Sequence, residues 1–171
     1  MKNFRIIISS PYDREKLVSE IWYNNDFLAE MNQEQNFLEI VFYYGGPNQM
    51  KFSFDELQEV LQEAKTHLIG DSYNKILKSK ASFIQTIKMN YVNDCKILIS
   101  SPSGRKEVIA SILHKEELLA EISKSNDSID ITLYYHNKNI EAPIDSFLEI
   151  LNKAKIELGG MGNTSILNQV P

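Results

Sequence analysis

The stretch Ile8-Ser9-Ser10-Pro11 decides the fold, because it returns 91 residues later as Ile99-Ser100-Ser101-Pro102. Self-similarity at a fixed spacing indicates a duplicated supersecondary unit. After one deletion the offset becomes 90, and the matches continue to residue 155. The matching positions are Arg14 with Arg105, Leu28-Ala29-Glu30 with Leu119-Ala120-Glu121, Tyr43-Tyr44 with Tyr134-Tyr135, and Ala64-Lys65 with Ala154-Lys155.

Within each copy, apolar and polar residues alternate over several short stretches separated by turn residues. In the first of these, Phe4, Ile6 and Ile8 alternate with Arg5 and Ser9. A period of two residues predicts half-buried strands. The same phase recurs in both copies, and this supports the strand registers because a slip of one residue would invert the faces. The pattern predicts an antiparallel meander of about five strands in each copy.

After Asp55 and Asp145 the apolar period changes from 2 to 3.6, which predicts a helix. Asp55 is a suitable N-cap residue. Each copy is therefore predicted to be an α+β unit, a meander of about five strands followed by one C-terminal helix that packs on the sheet. The two helical stripes are Leu57, Val60, Leu61, Ala64 and Leu68, and Phe147, Ile150, Leu151, Ala154 and Leu158.

The offsets divide the chain into four segments. Residues 71–94 have no counterpart in the other copy, and Tyr73, Ile76 and Leu77 suggest a short amphipathic helix there. This segment is too apolar for a free linker, so we expect it to be partly helical and to pack on one or both units. The predicted segments are a first unit at 1–70, a linking segment at 71–94, a second unit at 95–160 and a loose tail at 161–171.

Composition and charge restrict the partners. The chain has 171 residues, is 43% hydrophobic and 24% charged, and carries a net charge of −5. Residues 1–70 hold six Lys and Arg against eleven Asp and Glu. Such an acidic unit is a poor partner for phosphate backbones. Its charges can favour a basic protein surface, or they can be solvated charges that only keep the protein soluble. With one cysteine, no signal-peptide pattern and no apolar run of about 20 residues, a cytoplasmic protein without membrane or nucleic-acid contacts is expected.

The residues that carry most enzyme chemistry are poorly placed for it. His67, His114 and His136 do not recur between the copies and lack metal-ligand spacing. Cys95 and the repeated serine pairs have no repeated base beside them. The glycines at 159–162 follow a helix instead of leading into one, so their amides are badly placed for phosphate. We therefore expect no catalytic residues, no metal and no cofactor.

One repeated pair of charges has a structural interpretation. Arg14 and Arg105 can each pair with a carboxylate of the same unit, and Glu30 and Glu121 are the candidates. Such a pair would hold the Ser-Ser-Pro turn against the sheet. What recurs between the copies is thus expected to maintain the fold, and what differs is expected to carry function.

The differences lie on the face opposite the predicted core. Tryptophan and tyrosine framed by carboxylates are typical of a hot spot for a basic protein. Equally, this face could pack against the other unit or against residues 71–94, and the sequence leaves both interpretations open. The candidate partner-binding residues are Glu20, Trp22, Glu39 and Tyr43 in the first copy and Asp130 and Tyr134 in the second.

The segment from Arg14 to Ile21 after Ser9-Ser10-Pro11, followed by Leu28-Ala29-Glu30-Met31-Asn32-Gln33-Glu34, resembles small bacterial proteins encoded beside polymorphic toxins, including contact-dependent growth inhibition immunity proteins. The resemblance covers residues 4–70 well and 96–158 more weakly, where Ser103-Gly104 depart and Trp22 has no equivalent. It implies a cytosolic, non-enzymatic immunity protein that binds a cognate toxin, with a basic nuclease-type domain as the expected partner.

Two other functions remain open from the sequence. One is a structural or assembly module that self-associates, for example as a homodimer, through exposed sheet edges. The other is a small-molecule-binding or enzymatic domain in a cleft between the units, which would need convergent polar groups.

Overall fold

The computed structural model describes residues 3–35, 37–43, 45, 49–69, 90–101, 107–125 and 128–160. Residues 71–89 of the predicted linking segment and the predicted tail at 161–171 lie outside this part. The described chain is α+β and its sheets are antiparallel, as predicted. Its strands are β1 (Phe4–Ser9), β2 (Val18–Tyr23), β3 (Asp26–Asn32), β4 (Glu39–Phe42), β5 (Gln49–Ser53), β6 (Cys95–Ser100), β7 (Ile109–His114), β8 (Glu117–Ser125), β9 (Ser128–Tyr134) and β10 (Ile140–Pro143), and its helices are α1 (Phe54–Ile69) and α2 (Ile144–Gly160).

The strands form two five-stranded sheets that exchange their last strands. Sheet A has the order β1-β2-β3-β4-β10, and sheet B has the order β5-β9-β8-β7-β6. The expectation that each fifth strand completes its own meander is therefore wrong. Ile140 lies opposite Phe42 of sheet A, and Met50 lies opposite Leu133 of sheet B. A period of two defines the two faces of a strand but not its neighbour, so the pattern could not reveal this exchange.

A bulge in the β2–β3 pairing changes the faces within β3. Ile21 lies opposite Ala29, but the next residue, Trp22, lies opposite Phe27, so that Leu28 is the extra residue. Strict alternation placed Phe27 on the core face with Ala29. The bulge instead puts Phe27 on the outer face beside Trp22. The β7–β8 pairing shifts at the corresponding position.

The two helices lie side by side and antiparallel. The Asp55 carboxylate is 2.7 Å from Lys155 Nζ, and Lys65 pairs with Asp145 in the same way. These two ion pairs correspond at the offset of 90, so the contact is nearly two-fold symmetric. The Asp55 carboxylate thus binds the other helix and does not cap its own. The capping side chain of α1 is Ser53, because the backbone amide of Glu56 donates a hydrogen bond to Ser53 Oγ at 3.5 Å.

Both halves contribute to one continuous apolar core. The rings of Phe42 in sheet A and Phe147 in α2 are 5.3 Å apart. Phe52 of β5 lies 4.9 Å from the ring of Tyr23 and 5.9 Å from that of Phe4. Phe42 and Phe147 belong to different halves, and Phe52 of the first half lies in sheet B beside two rings of sheet A, so neither half can unfold without exposing core surface of the other. Neither of the two described helices is long and apolar enough to cross a lipid bilayer.

We expect the described halves to unfold together. Phe147→Ala removes a fully buried ring and should cost about 3–5 kcal/mol of unfolding free energy. Although Phe147 lies in the second half, the loss should appear in the fluorescence of Trp22, the only tryptophan, which lies in the first half. Urea unfolding followed by fluorescence and by far-UV circular dichroism should give one shifted, coincident transition.

Ile156→Ala is the control on the same helix, since Ile156 is 73% exposed and should change stability by less than about 0.5 kcal/mol. If Phe147→Ala left the urea midpoint of the Trp22 fluorescence transition unchanged while circular dichroism showed a separate transition at lower urea, the two halves would unfold independently.

Candidate functional site

The outer face of sheet A carries a row of acidic side chains, and we call this surface the acidic face. Glu20 of β2 lies opposite Glu30 of β3, which lies opposite Val41 of β4, which lies opposite Glu141 of β10. Side chains opposite each other in this way are about 5 Å apart on one face. The acidic face comprises Glu20, Trp22, Phe27, Glu30, Glu39, Val41, Tyr43 and Glu141.

Glu20 fixes the orientation of the indole ring. Its Oε1 accepts a hydrogen bond from Ser9 Oγ at 2.6 Å, and its Oε2 accepts one from Trp22 Nε1 at 3.0 Å. The Arg5 guanidinium lies over the indole, 5.2 Å from its centroid. Trp22 is therefore held rigidly at the surface, which lowers the entropy lost when a partner packs on it.

The bulge adds a third ring to this surface. The Phe27 ring lies 5.2 Å from Trp22 and 5.0 Å from Tyr43, so three rings form a line across the sheet. Sequence reasoning missed Phe27, although a signal existed. Asn24 and Asn25 both have positive φ, at 51° and 68°, as a two-residue hairpin turn requires. Counting outward from that turn places Phe27 opposite Trp22.

Arg14 pairs with Glu30, as the sequence predicted. Its Nη2 is 2.8 Å from Glu30 Oε1, and the Glu30 side chain is only 8% exposed. The backbone amide of Arg14 donates to the Pro11 carbonyl at 3.1 Å, which closes the turn over the sheet. The corresponding pair of Arg105 with Glu121 cannot be compared, since residue 105 lies outside the described part.

Two carboxylates of the acidic face, Glu30 and Glu39, are in an environment that disfavours their charged form. Burial raises the pKa of Glu30 above its ordinary value even though Arg14 opposes the shift. Burial also raises the pKa of Glu39, and the charges of Glu141 and Glu30 add to this effect while the Asn32 amide opposes it. A cation bound here would remove part of that cost, so the surface is suited to a basic ligand.

The six candidate residues do not form one surface. Glu20, Trp22, Glu39 and Tyr43 lie together on the acidic face. Asp130 and Tyr134 lie on the outer face of sheet B. Asp130 is neutralised by Lys51 Nζ at 2.8 Å, and the Tyr134 hydroxyl donates to Glu121 Oε2 at 2.7 Å.

Strand exchange accounts for the different charges of the two outer faces. Glu141 enters sheet A with β10, and Lys51 occupies the corresponding place in sheet B with β5. Sheet A thus gains a carboxylate from the second half, and sheet B gains an ammonium group from the first. The acidic face is the better candidate for a basic partner.

Other chemistry is weakly supported in the described residues. Burial raises the pKa of the half-buried Cys95 thiol to about 11, so a nucleophilic thiolate is scarce at neutral pH. Across the ranges that the structure describes, no group of three His, Cys, Asp or Glu side chains is placed to hold a metal ion.

We expect Arg14→Met to destabilise the protein by about 2–4 kcal/mol at pH 7, because it leaves the buried Glu30 carboxylate unpaired. Without Arg14 the pKa of Glu30 in the folded state rises further above its unfolded value. The penalty is therefore full above that folded pKa, and it shrinks to zero as the pH falls from the folded pKa to the lower unfolded pKa. Urea unfolding at pH values about one unit apart, from about pH 4 to about pH 8, measures this change in unfolding free energy.

The double variant Arg14→Met with Glu30→Gln is the control, and it should recover much of the loss at pH 7 and show a flatter pH dependence. Equal destabilisation of the single and double variants at every pH would show that the Arg14 stem, and not its charge, supports the turn.

No family model, no curated protein and no solved structure matches this chain.

Proposed function

We propose that the chain is a non-enzymatic, cytoplasmic protein-binding protein, an immunity protein that neutralises a cognate bacterial toxin by covering a basic nuclease-type surface. The observation that carries this proposal is the acidic face, where carboxylates surround three aligned aromatic rings. The resemblance of residues 4–70 to proteins encoded beside polymorphic toxins points in the same direction.

The chemistry of the acidic face supports a protein partner over a small substrate. Rigid aromatic rings such as Trp22 supply contact area at low entropic cost, and they dominate many interface hot spots. Glu39 and Glu141 supply negative charge beside the rings, which steers a basic partner and fixes its register. Burial raises the pKa of Glu39, so its charged form destabilises the free protein, as expected of a carboxylate kept for binding.

We further infer that the chain arose by tandem duplication of one unit of strands and a C-terminal helix. The β1–β2 and β6–β7 registers correspond residue by residue at the offset of 91. The register shifts in the β2–β3 and β7–β8 pairings correspond at the same offset. In this proposal the second unit completes the binding sheet of the first by supplying β10.

The direct experiment is co-purification with the toxin-like product of the adjacent open reading frame, followed by calorimetric titration of the complex. The affinity should fall as sodium chloride rises from about 0.05 to 0.5 M, because the Debye length shortens and steering is screened. The proposal would be contradicted if the product of the adjacent reading frame did not bind, or if the affinity did not change with salt concentration.

Glu39→Gln should separate stability from binding. It removes a carboxylate whose pKa is raised in the folded state, so at pH 7 it should stabilise the free protein, by at most about 1 kcal/mol because the group is partly exposed. This gain should be full above the folded pKa of Glu39 and should shrink as the pH falls from the folded pKa to the lower unfolded pKa. The same change should weaken the affinity of the protein for its basic partner by roughly threefold to thirtyfold.

Glu107→Gln is the matched control, since Glu107 is an exposed carboxylate beside the outer face of sheet B. It makes the same change in net charge and should leave the affinity nearly unchanged. If both variants weakened the complex equally, binding would depend on overall charge and not on the acidic face.

A second candidate function is self-association through sheet edges. It is favoured by β1 and β6, which end the two sheets and carry apolar side chains at the surface, with Ile8 40% and Leu98 52% exposed. Such edges can pair with another chain. Light scattering distinguishes the two functions. Self-association requires that the molar mass of the protein in solution rises with concentration, and the immunity proposal does not.

A further inference from the structure

The loop that joins β1 to β2, residues 10–17, lies on the outer face of sheet A, and we call it the β1–β2 loop. Arg14 extends from this loop to Glu30 in the middle of the sheet. Helix α1 packs on the opposite face, yet four side chains of the outer face are at most 7% exposed. The outer face is therefore covered and raised at the loop, so that a partner meets a convex surface there. The four buried residues are Val18, Glu30, Asn32 and Val41.

The β1–β2 loop is fixed to the sheet by bonds to the residues just after β3. The backbone amide of Lys16 donates to Glu34 Oε1 at 2.9 Å, and Lys16 Nζ donates to the Gln33 carbonyl at 2.5 Å. Together with the Arg14–Glu30 pair, these bonds hold the loop at two places. A loop that is already ordered loses little entropy when a partner binds it.

Tyr12 lies at the tip of this loop and is the most exposed large apolar side chain of the described residues, with a relative exposure of 103%. A single exposed apolar side chain is ordinary. This ring, however, is carried by a loop that is fixed at two places, and it forms no hydrogen bond or ring contact within the described part of the chain. A rigidly presented tyrosine is a common anchor of protein interfaces. Tyr12 is thus the side chain of this surface that is best placed to enter a partner.

The charged side chains of the loop are sorted by sign. The two basic ones, Arg14 and Lys16, turn back to the sheet through the bonds described above. The two acidic ones, Asp13 and Glu15, are exposed and form no ion pair with any residue that the structure describes. The tip therefore presents an aromatic ring with carboxylates one and three residues further along the chain.

A ring beside negative charges has the chemistry of a nucleotide, in which a base adjoins phosphates. Proteins that bind a nucleic-acid strand hold the phosphates with basic side chains and stack the bases on aromatic rings or on arginine. A cleft of that kind can hold the tip of the β1–β2 loop with the same groups.

We propose that the β1–β2 loop enters the nucleic-acid-binding cleft of the partner, where Tyr12 takes the place of a base and Asp13 and Glu15 take the place of phosphates. This inference rests on the proposed function and names the part of the toxin that is covered. The convex shape of the loop suits a cleft, and the rings and carboxylates of the acidic face then contact the basic rim around that cleft.

The first test is competition with a nucleic-acid strand. The full chain is titrated into the adjacent toxin-like product that holds a nuclease-resistant, fluorescein-labelled DNA strand of about ten nucleotides. The chain should displace the strand, and its apparent affinity should fall as the strand concentration rises. A ternary complex of chain, product and strand would overturn the inference, and so would a product that binds the chain but not the strand.

Substitutions test the tip of the loop itself. Tyr12→Ala should weaken the complex by at least about tenfold, and Tyr12→Phe, which keeps the ring, by less than about threefold. Asp13→Asn combined with Glu15→Gln should weaken the complex and flatten its dependence on salt. Ile156→Ala is the control, because it removes an exposed apolar side chain from α2, and it should leave the affinity unchanged. All of these side chains are exposed, so the thermal midpoints of the variants should match that of the unmodified chain.

The outcomes distinguish this inference from the proposed function. If the adjacent product binds in a salt-dependent way but Tyr12→Ala binds it as tightly as the unmodified chain does, the immunity function stands and the inference about the loop falls. If Tyr12→Ala weakens the complex while Glu39→Gln does not, the loop is the binding element and the acidic face is not. If the adjacent product does not bind at all, both proposals fall.

Discussion

The exchange of β5 and β10 is the constraint on which the rest of the structure depends. Each of these strands runs directly into a helix, β5 into α1 and β10 into α2. The strand pairs with the sheet of the other half, and the antiparallel helices are held by the matching pairs Asp55–Lys155 and Lys65–Asp145. The two sheets and two helices consequently form one core, although each half is only about 70 residues, near the lower limit for a self-sufficient domain.

The acidic face follows from the same constraint. Without β10, sheet A would end at β4, and Val41 would lie at an open edge. With β10 in place, Glu141 extends the carboxylate row. The charge of this surface is thus assembled from both halves, with Glu20, Glu30 and Glu39 from the first and Glu141 from the second.

Much of the architecture could be predicted from the sequence because it depends on local pattern. The alternation of Phe4, Ile6 and Ile8 and the stripe that follows Asp55 report burial directly, and the Arg14–Glu30 pair was suggested by its repetition. Strand partners could not be predicted in this way, because Met50 and Phe52 fit the apolar face of either sheet equally well. That choice is made by tertiary packing.

The candidate site was predicted in part for a similar reason. Glu20, Trp22, Glu39 and Tyr43 share a face in any antiparallel meander, so alternation was enough to group them. Phe27 was lost because a bulge breaks the period of two at one residue. Asp130 and Tyr134 were grouped with the others only by analogy between the copies. The neutralisation of Asp130 depends on Lys51, which lies on a strand that alternation assigned to the other sheet.

The exchanged strands also affect how such a surface can change during evolution. In a symmetric homodimer built from one gene, every substitution in the last strand alters both outer faces at once. Here the two strands are encoded separately, so Glu141 and Lys51 can differ and the two faces can diverge in charge. Copying the first half of the gene over the second would erase that asymmetry and place a lysine in the carboxylate row, so homologous recombination between the halves is a route by which the charge difference between the two faces is lost.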